Sequence, residues 1–160
     1  MVNKMKQNIL AIDDEPDLLR LLERIIREKT PYQITVTNNS LEVPNLLEQN
    51  EYDIIITDLK MPGMDGLDIL KYVKDNKRFE QVIIITAFGS LETAMEALSQ
   101  GVYDYITKPF KKEQIIFTLD RAIRYQNNVR EAQKFSEILK KPLDEAIEAF
   151  KTEYNNRKSI

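Results

Sequence analysis

Up to about Thr107 the chain alternates short, nearly unbroken apolar runs with segments whose apolar positions recur every three or four residues. The runs are Ile9-Leu10-Ala11-Ile12, Ile54-Ile55-Ile56 and Val82-Ile83-Ile84-Ile85; Val102-Tyr103-Asp104-Tyr105-Ile106 is weaker, and Ile34-Thr35-Val36 alternates. Isoleucine-rich runs of this length read as strands, and unbroken ones as strands covered on both faces. Between them, Leu18, Leu21, Leu22, Ile25 and Ile26 form one helical stripe, opened by Pro16 in the first turn. Asp65 is placed to cap a helix carrying Leu67, Leu70 and Val73, with Asp68 in its first turn, and Ser90 to cap another that Gly101 ends. Ser40 is the expected cap of the second helix, with Pro44 about one turn later, early enough to remove at most one helical bond. Strand and helix thus alternate five times, which implies an α/β fold with a parallel sheet and helices on both sides. From Lys111 on the pattern is helical, with a break expected at Lys141-Pro142.

The 160 residues suffice for one compact domain and an appendage, and 42% apolar with 31% charged residues is an ordinary globular balance. Cys, His and Trp are absent. A disulfide framework, thiolate chemistry, imidazole general bases and a phosphohistidine on this chain are therefore excluded, and any metal must be hard and oxygen-bound. No apolar run approaches the roughly 20 residues of a membrane span, and the start MVNKMKQN has no signal-like apolar stretch, so a cytoplasmic protein without membrane contact is expected. The net charge of −3 is uneven: residues 1–120 hold 20 acids and 14 bases, residues 121–160 hold 6 acids and 9 bases. Neither part is basic enough to point to nucleic acid.

In an open parallel sheet, residues at the carboxyl ends of the strands share one crevice. Here those residues are Asp13-Asp14-Glu15, Asp58, Thr86-Ala87 and Lys108-Pro109. Taken singly, each has a plain reading: an acidic loop, a strand-end cap, a turn hydroxyl, a loop lysine. Together they gather three aspartates, a hydroxyl and an ammonium. Carboxylates so close repel unless a cation sits among them, and an all-oxygen set suits Mg2+. Such a cation beside Lys108, with the Thr86 hydroxyl and the Ala87 amide as donors, is apparatus for a phosphoryl group, and Asp58 is the simplest attachment point.

The stretches AIDDEPDLL, ITDLKMPGMDGLDIL, IIITAFGSLETAMEAL and GVYDYITKPF resemble the four signature segments of bacterial response-regulator receiver domains, nitrogen-regulator-like ones in particular, from about Asn8 to about Tyr125. The resemblance implies a flavodoxin-like three-layer (βα)5 sandwich with strand order 2-1-3-4-5. It implies a phosphoacceptor at Asp58 and Mg2+ held by Asp14, Asp58 and the Lys60 carbonyl, with Asp13 acting through water. Lys108 would contact the phosphoryl oxygens across a cis bond to Pro109, and Thr86 and Tyr105 would form a switch pair acting on the fourth helix and fifth strand. The donor would be a sensor histidine kinase or a phosphotransfer protein. Lys60 and Phe88, two residues after Asp58 and Thr86, are poorly suited to orient an attacking water, so slow self-dephosphorylation is expected and no enzymatic turnover beyond it.

These readings divide the chain into a receiver over 5–126 and a helical extension over 127–160. In the extension Ala132, Phe135, Leu139, Leu143, Ala146, Phe150 and Tyr154 recur at steps of three and four. Such a stripe either folds back on its own domain or pairs with a second chain; its length past the domain favours pairing, hence a homodimer. Residues 142–154 also resemble the helix that precedes the Fis-type helix-turn-helix of nitrogen-regulator-like activators. The DNA-reading helices and a Gly-rich ATPase motif are not in the sequence, so this chain itself is not expected to bind DNA. Two other readings remain: a phosphorylation-independent binding module on the same fold, and an aspartate-nucleophile phosphatase. The first has no need of the acidic pair, Asp58, Thr86 and Lys108; the second wants an Asp where Lys60 stands.

Overall fold

The computed structural model describes residues 6–140 and 143–159. The chain falls into two compact units, Lys6–Ile123 and a helical unit that begins at Arg124. In the first, β1 (Asn8–Ile12), β2 (Gln33–Thr37), β3 (Ile54–Thr57), β4 (Gln81–Thr86) and β5 (Asp104–Thr107) form one parallel sheet in the order β2-β1-β3-β4-β5. The connections carry α1 (Pro16–Lys29), α2 (Val43–Gln49), α3 (Gly66–Asp75) and α4 (Leu91–Ser99), and α5 (Lys112–Leu139) follows β5.

Successive strand residues point to opposite faces, and this sorts the core into two layers. Ile9, Ala11, Ile54, Ile56, Ile83 and Ile85 pack with Leu19, Leu22 and Ile26 of α1 and with Ile115, Leu119 and Ile123 of α5. Leu10, Ile12, Ile55, Val82 and Ile84 pack instead with Val43 and Leu47 of α2, Ile69, Leu70 and Val73 of α3, and Ala97 of α4. Unbroken isoleucine runs are what a sheet covered on both faces requires.

The α1 stripe is rotated from expectation. Leu21 is largely exposed, and Leu19 takes its place in the core. The helix carries two interleaved apolar rows, and only one can face the sheet squarely; Leu18 stays at the margin of the buried row. The second helix also starts differently. A 3-10 turn at Ser40–Glu42 precedes it, the Asn39 side chain accepts the cap bond from Leu41 N, and Pro44 lies in the first turn of α2. Ser40 is thus not the cap. Asp65 and Ser90 do cap α3 and α4, each in a reciprocal box with the residue three positions on, Asp68 and Thr93. Gly101 ends α4 at φ +85°, a conformation side chains resist.

The second unit contains the end of α5, to Leu139, and α6 (Leu143–Lys158). The expected break at Lys141-Pro142 lies outside the described residues. Arg157 Nη2 stands 3.8 Å from Glu131 Oε1, so the two helices run antiparallel as a hairpin. Phe135, Leu139, Leu143, Phe150 and Tyr154 of the expected stripe are exposed.

Candidate functional site

The sheet register brings the strand exits level. Ile12 pairs with Thr57, Thr57 with Ile84, and Thr86 with Thr107. One residue beyond, Asp58 N donates to Ile12 O at 3.1 Å and Lys108 N to Thr86 O at 2.8 Å, so the backbone ladder runs on into the crevice. Asp13, Asp14 and Asp58 each place a carboxylate oxygen within 4.8 Å of the others. Asp13 and Asp58 are only 2% exposed, while Asp14 is on the rim.

Lys108, joined to Pro109 by a cis bond, threads its ammonium between them. Its Nζ lies 3.0 Å from Asp13 Oδ2 and 3.2 Å from Asp58 Oδ2, and 3.9 Å from Glu15 Oε1 at the rim. The other carboxylate oxygens accept backbone bonds, Asp13 Oδ1 from Glu15 N at 2.8 Å and Asp58 Oδ1 from Leu59 N at 2.6 Å. Both carboxyls are thereby held in one orientation. Three carboxylates nevertheless face one ammonium. Burial pushes the Asp13 carboxyl up to about 6, against the opposing pull of the Glu15 amide and Lys108. Lys108 also loses solvation, but the hydrogen bond and charge of Asp13, with the charge of Asp58, more than compensate and hold it above its ordinary value. This surplus of negative charge among oxygen ligands fits a small divalent cation.

The loop that follows Asp58 is fastened from two directions. Gly66 N donates to Leu59 O at 2.9 Å, and a side chain at Gly66 would run into the Asp58 carbonyl, so α3 can begin this close only with glycine. The buried Ser40 hydroxyl donates to Pro62 O at 2.8 Å and accepts from Met64 N at 2.9 Å. Between those two, Gly63 takes φ +84°.

On the other side, Thr86 is fully buried and its Oγ1 accepts from Phe88 N at 3.1 Å. Tyr105 is half-buried, and its hydroxyl hydrogen-bonds with Thr93 Oγ1 at 3.1 Å, against the first turn of α4. A Cβ on Gly89 would come within 2.8 Å of that hydroxyl.

Of the residues expected in the crevice, Asp13, Asp14, Asp58 and Lys108 converge. Lys60, Ala87 and Phe88 lie exposed in the loops beyond β3 and β4. Sequence reasoning missed Ser40 as a loop clamp, Gly66 and Gly89 as close approaches, and Thr93 as the partner of Tyr105. A glycine directly after a cap, as at Gly66, or directly before one, as at Gly89, was the available signal; for Ser40 there was none.

The response regulator receiver domain family matches residues 9–120. The chain is 34% identical over 122 residues to the response regulator protein PilR of Pseudomonas aeruginosa, covering 76% of this chain and 27% of that protein. It is 31% identical over 144 residues to the DNA-binding transcriptional regulator NtrC of Proteus hauseri, covering 90% of this chain and 30% of the relative. The matched stretch is thus less than a third of either regulator's length. Among solved structures, the signal receiver domain of a putative LuxO repressor from Vibrio parahaemolyticus superposes with a TM-score of 0.76 at 24% identity, covering 80% of this chain and 98% of that one, a likeness of fold.

A five-stranded parallel sheet in this order, with acids and a lysine gathered at its strand exits, defines a receiver. The chain belongs to the response regulator receiver domain family, and its receiver is of the nitrogen-regulator type. Phosphorylation-based two-component signalling is the business of that class. Among the described residues no helix is long and apolar enough to cross a membrane.

Proposed function

We propose that Asp58 accepts a phosphoryl group from a phosphohistidine on a partner kinase or phosphotransfer protein, and that the modification switches a protein-interaction surface. The observation that carries this reading is the Lys108 ammonium held 3.0 Å and 3.2 Å from the two buried carboxylates Asp13 and Asp58. With no His in this chain, the donor is another molecule.

In the reaction a carboxylate oxygen of Asp58 forms the new O–P bond as the donor's P–N bond breaks. The electron pair returns to the imidazole nitrogen, which takes a proton from solvent. The Leu59 amide fixes the Asp58 carboxylate rotamer, so the nucleophile meets the donor without reorganisation. Lys108, freed from its bond to Asp58, turns its ammonium to the phosphoryl oxygens while Asp13 keeps hold of it. Asp13, Asp14 and Asp58, with the Lys60 carbonyl, would hold Mg2+, which supplies charge neutralisation for carboxylates and phosphoryl group alike. Thr86 donates its hydroxyl, and Ala87 its amide, to the same oxygens.

The modified side chain carries nearly two negative charges. Recruiting Thr86 releases Phe88 N from Thr86 Oγ1 and so loosens the loop before α4. Tyr105 exchanges its bond to Thr93 for the space Thr86 vacates, which repacks α4 against β5. In a longer regulator that face would pass the signal to transcription.

Incubation with Mg2+ and acetyl phosphate, read by intact mass, tests the reading. A single phosphate adduct is expected on the native chain and none on Asp58→Asn; an unmodified native chain would contradict it.

A further inference from the structure

We propose that the Glu15 carboxylate is a charge gate at the mouth of the crevice, which discriminates among phosphodonors by holding back small dianionic acyl phosphates. The inference rests on Asp58 as phosphoacceptor and adds a determinant of donor choice. Glu15 occupies the position before α1 where a short polar side chain would ordinarily cap the helix, yet its side chain makes no cap bond. Its backbone is fastened on both sides. The amide donates to Asp13 Oδ1 at 2.8 Å, and the carbonyl accepts from Leu18 N at 3.2 Å and Leu19 N at 3.3 Å. The side chain is thereby delivered to the rim, 61% exposed, with Oε1 3.9 Å from Lys108 Nζ.

That ammonium does not neutralise it. Lys108 Nζ is nearer to the buried carboxylates, 3.0 Å from Asp13 Oδ2 and 3.2 Å from Asp58 Oδ2. Among the described residues the Glu15 carboxylate has no hydrogen bond and no other ion pair. It also stands outside the trio of Asp13, Asp14 and Asp58, whose oxygens lie within 4.8 Å of one another, so a cation seated among them leaves Glu15 a free charge. One ammonium separates that charge from the nucleophile oxygen, and an incoming donor has to pass it. A phosphohistidine on a docked partner is brought in by protein contacts, whereas a free acyl phosphate meets the field of the mouth alone. The gate therefore weights phosphorylation toward protein-borne donors.

Two small donors separate charge from chemistry. Acetyl phosphate is a dianion, and its P–O bond to acetate breaks, the electron pair leaving with acetate, as an Asp58 oxygen bonds to phosphorus. Phosphoramidate carries one net negative charge, and its protonated nitrogen leaves as ammonia when the P–N bond breaks. Coulomb energy scales with the product of the charges, so the gain on acetyl phosphate should be the square of the gain on phosphoramidate. At saturating Mg2+ and low salt, Glu15→Gln should be phosphorylated roughly threefold faster by acetyl phosphate and roughly 1.7-fold faster by phosphoramidate, and Glu15→Lys should square both gains. Mg2+, of the opposite sign, should bind Glu15→Gln roughly threefold more weakly in titration calorimetry. Salt at about 0.5 M should erase these differences. A merely structural role would weaken donor and cation together. A donor ratio unchanged in both variants, an Mg2+ affinity that does not fall, or gains that persist in high salt would overturn the gate. If neither donor modifies the native chain, Asp58 fails as the acceptor and the gate falls with it. If the native chain is modified at Asp58 and the variants keep its donor ratio, only the gate falls.

Discussion

Replacing Asp13 by Asn removes a charge that the folded crevice disfavours. Burial lifts this carboxyl from 3.8 to about 6, although the Glu15 amide and Lys108 pull it down. The displacement corresponds to roughly 3 kcal/mol against the ionised form in the folded state. The loss of the charge-assisted bond to Lys108 is already contained in that figure, because the folded value is the resultant of burial and that attraction. The variant without metal should be about 3 kcal/mol more stable than the native chain at pH 7.5, a melting temperature about 6–12 °C higher for a chain of this size. Because the folded value lies above the ordinary one, the native carboxyl's contribution is intact below pH 4 and is lost as pH rises through about 6. The gap between variant and native protein should therefore open across that interval and level off above it. The assay is urea or thermal unfolding in EDTA from pH 4.5 to 8, repeated with Mg2+. The cation should stabilise the native chain by mass action and the variant less. A variant no more stable than the native protein at pH 7.5 in EDTA, or a gap that does not change with pH, would refute the electrostatic argument.

Arg78 places Nε and Nη2 on the Glu80 carboxylate and donates from Nη2 to Leu47 O at 2.7 Å, with Glu80 only 5% exposed. Arg78→Ala strands that buried charge and should cost about 3 kcal/mol in urea unfolding while leaving phosphate acceptance in place. Ser40→Ala unfastens Pro62 O and Met64 N and should lower stability by about 1–2 kcal/mol. Since those bonds hold the loop that carries Lys60, Mg2+ affinity measured by titration calorimetry should fall as well, and Ser40→Thr should restore part of it. Lys60 and the exposed Phe88 give an attacking water no orienting group, so phosphate release from the Mg2+-loaded, phosphorylated chain should take far longer than seconds. Turnover within seconds would count against that role.

The parallel sheet was legible because isoleucine runs such as Ile54-Ile55-Ile56 have no other economical home than a sheet covered on both sides. The site was legible for a related reason. Parallel register fixes the strand exits at one edge, so Asp13, Asp58 and Lys108 had to meet once their runs were recognised as neighbours. Strand order itself, like the expected pairing of Thr86 and Tyr105 as a switch, came through resemblance and not from any local pattern. What stayed hidden depended on tertiary choices. Leu19 displaced Leu21 because two apolar rows on α1 are equivalent until the chain's entry from β1 selects one. The Ser40 hydroxyl serves partners 22 and 24 residues away, and nothing near it in the chain announces them. Thr93 closes the capping box with Ser90 and also meets Tyr105 from the neighbouring strand, a contact that no local pattern around it marks.

The central claim is that one carboxyl among the gathered acids captures the phosphoryl group. Acyl phosphates are reduced by borohydride to the alcohol, which turns a phosphorylated aspartate into homoserine. After exposure to Mg2+ and acetyl phosphate, borohydride treatment and peptide mapping should find homoserine at position 58 alone. Homoserine at Asp13 or Asp14, or its absence from every aspartate in a chain that has taken up phosphate, would contradict the account.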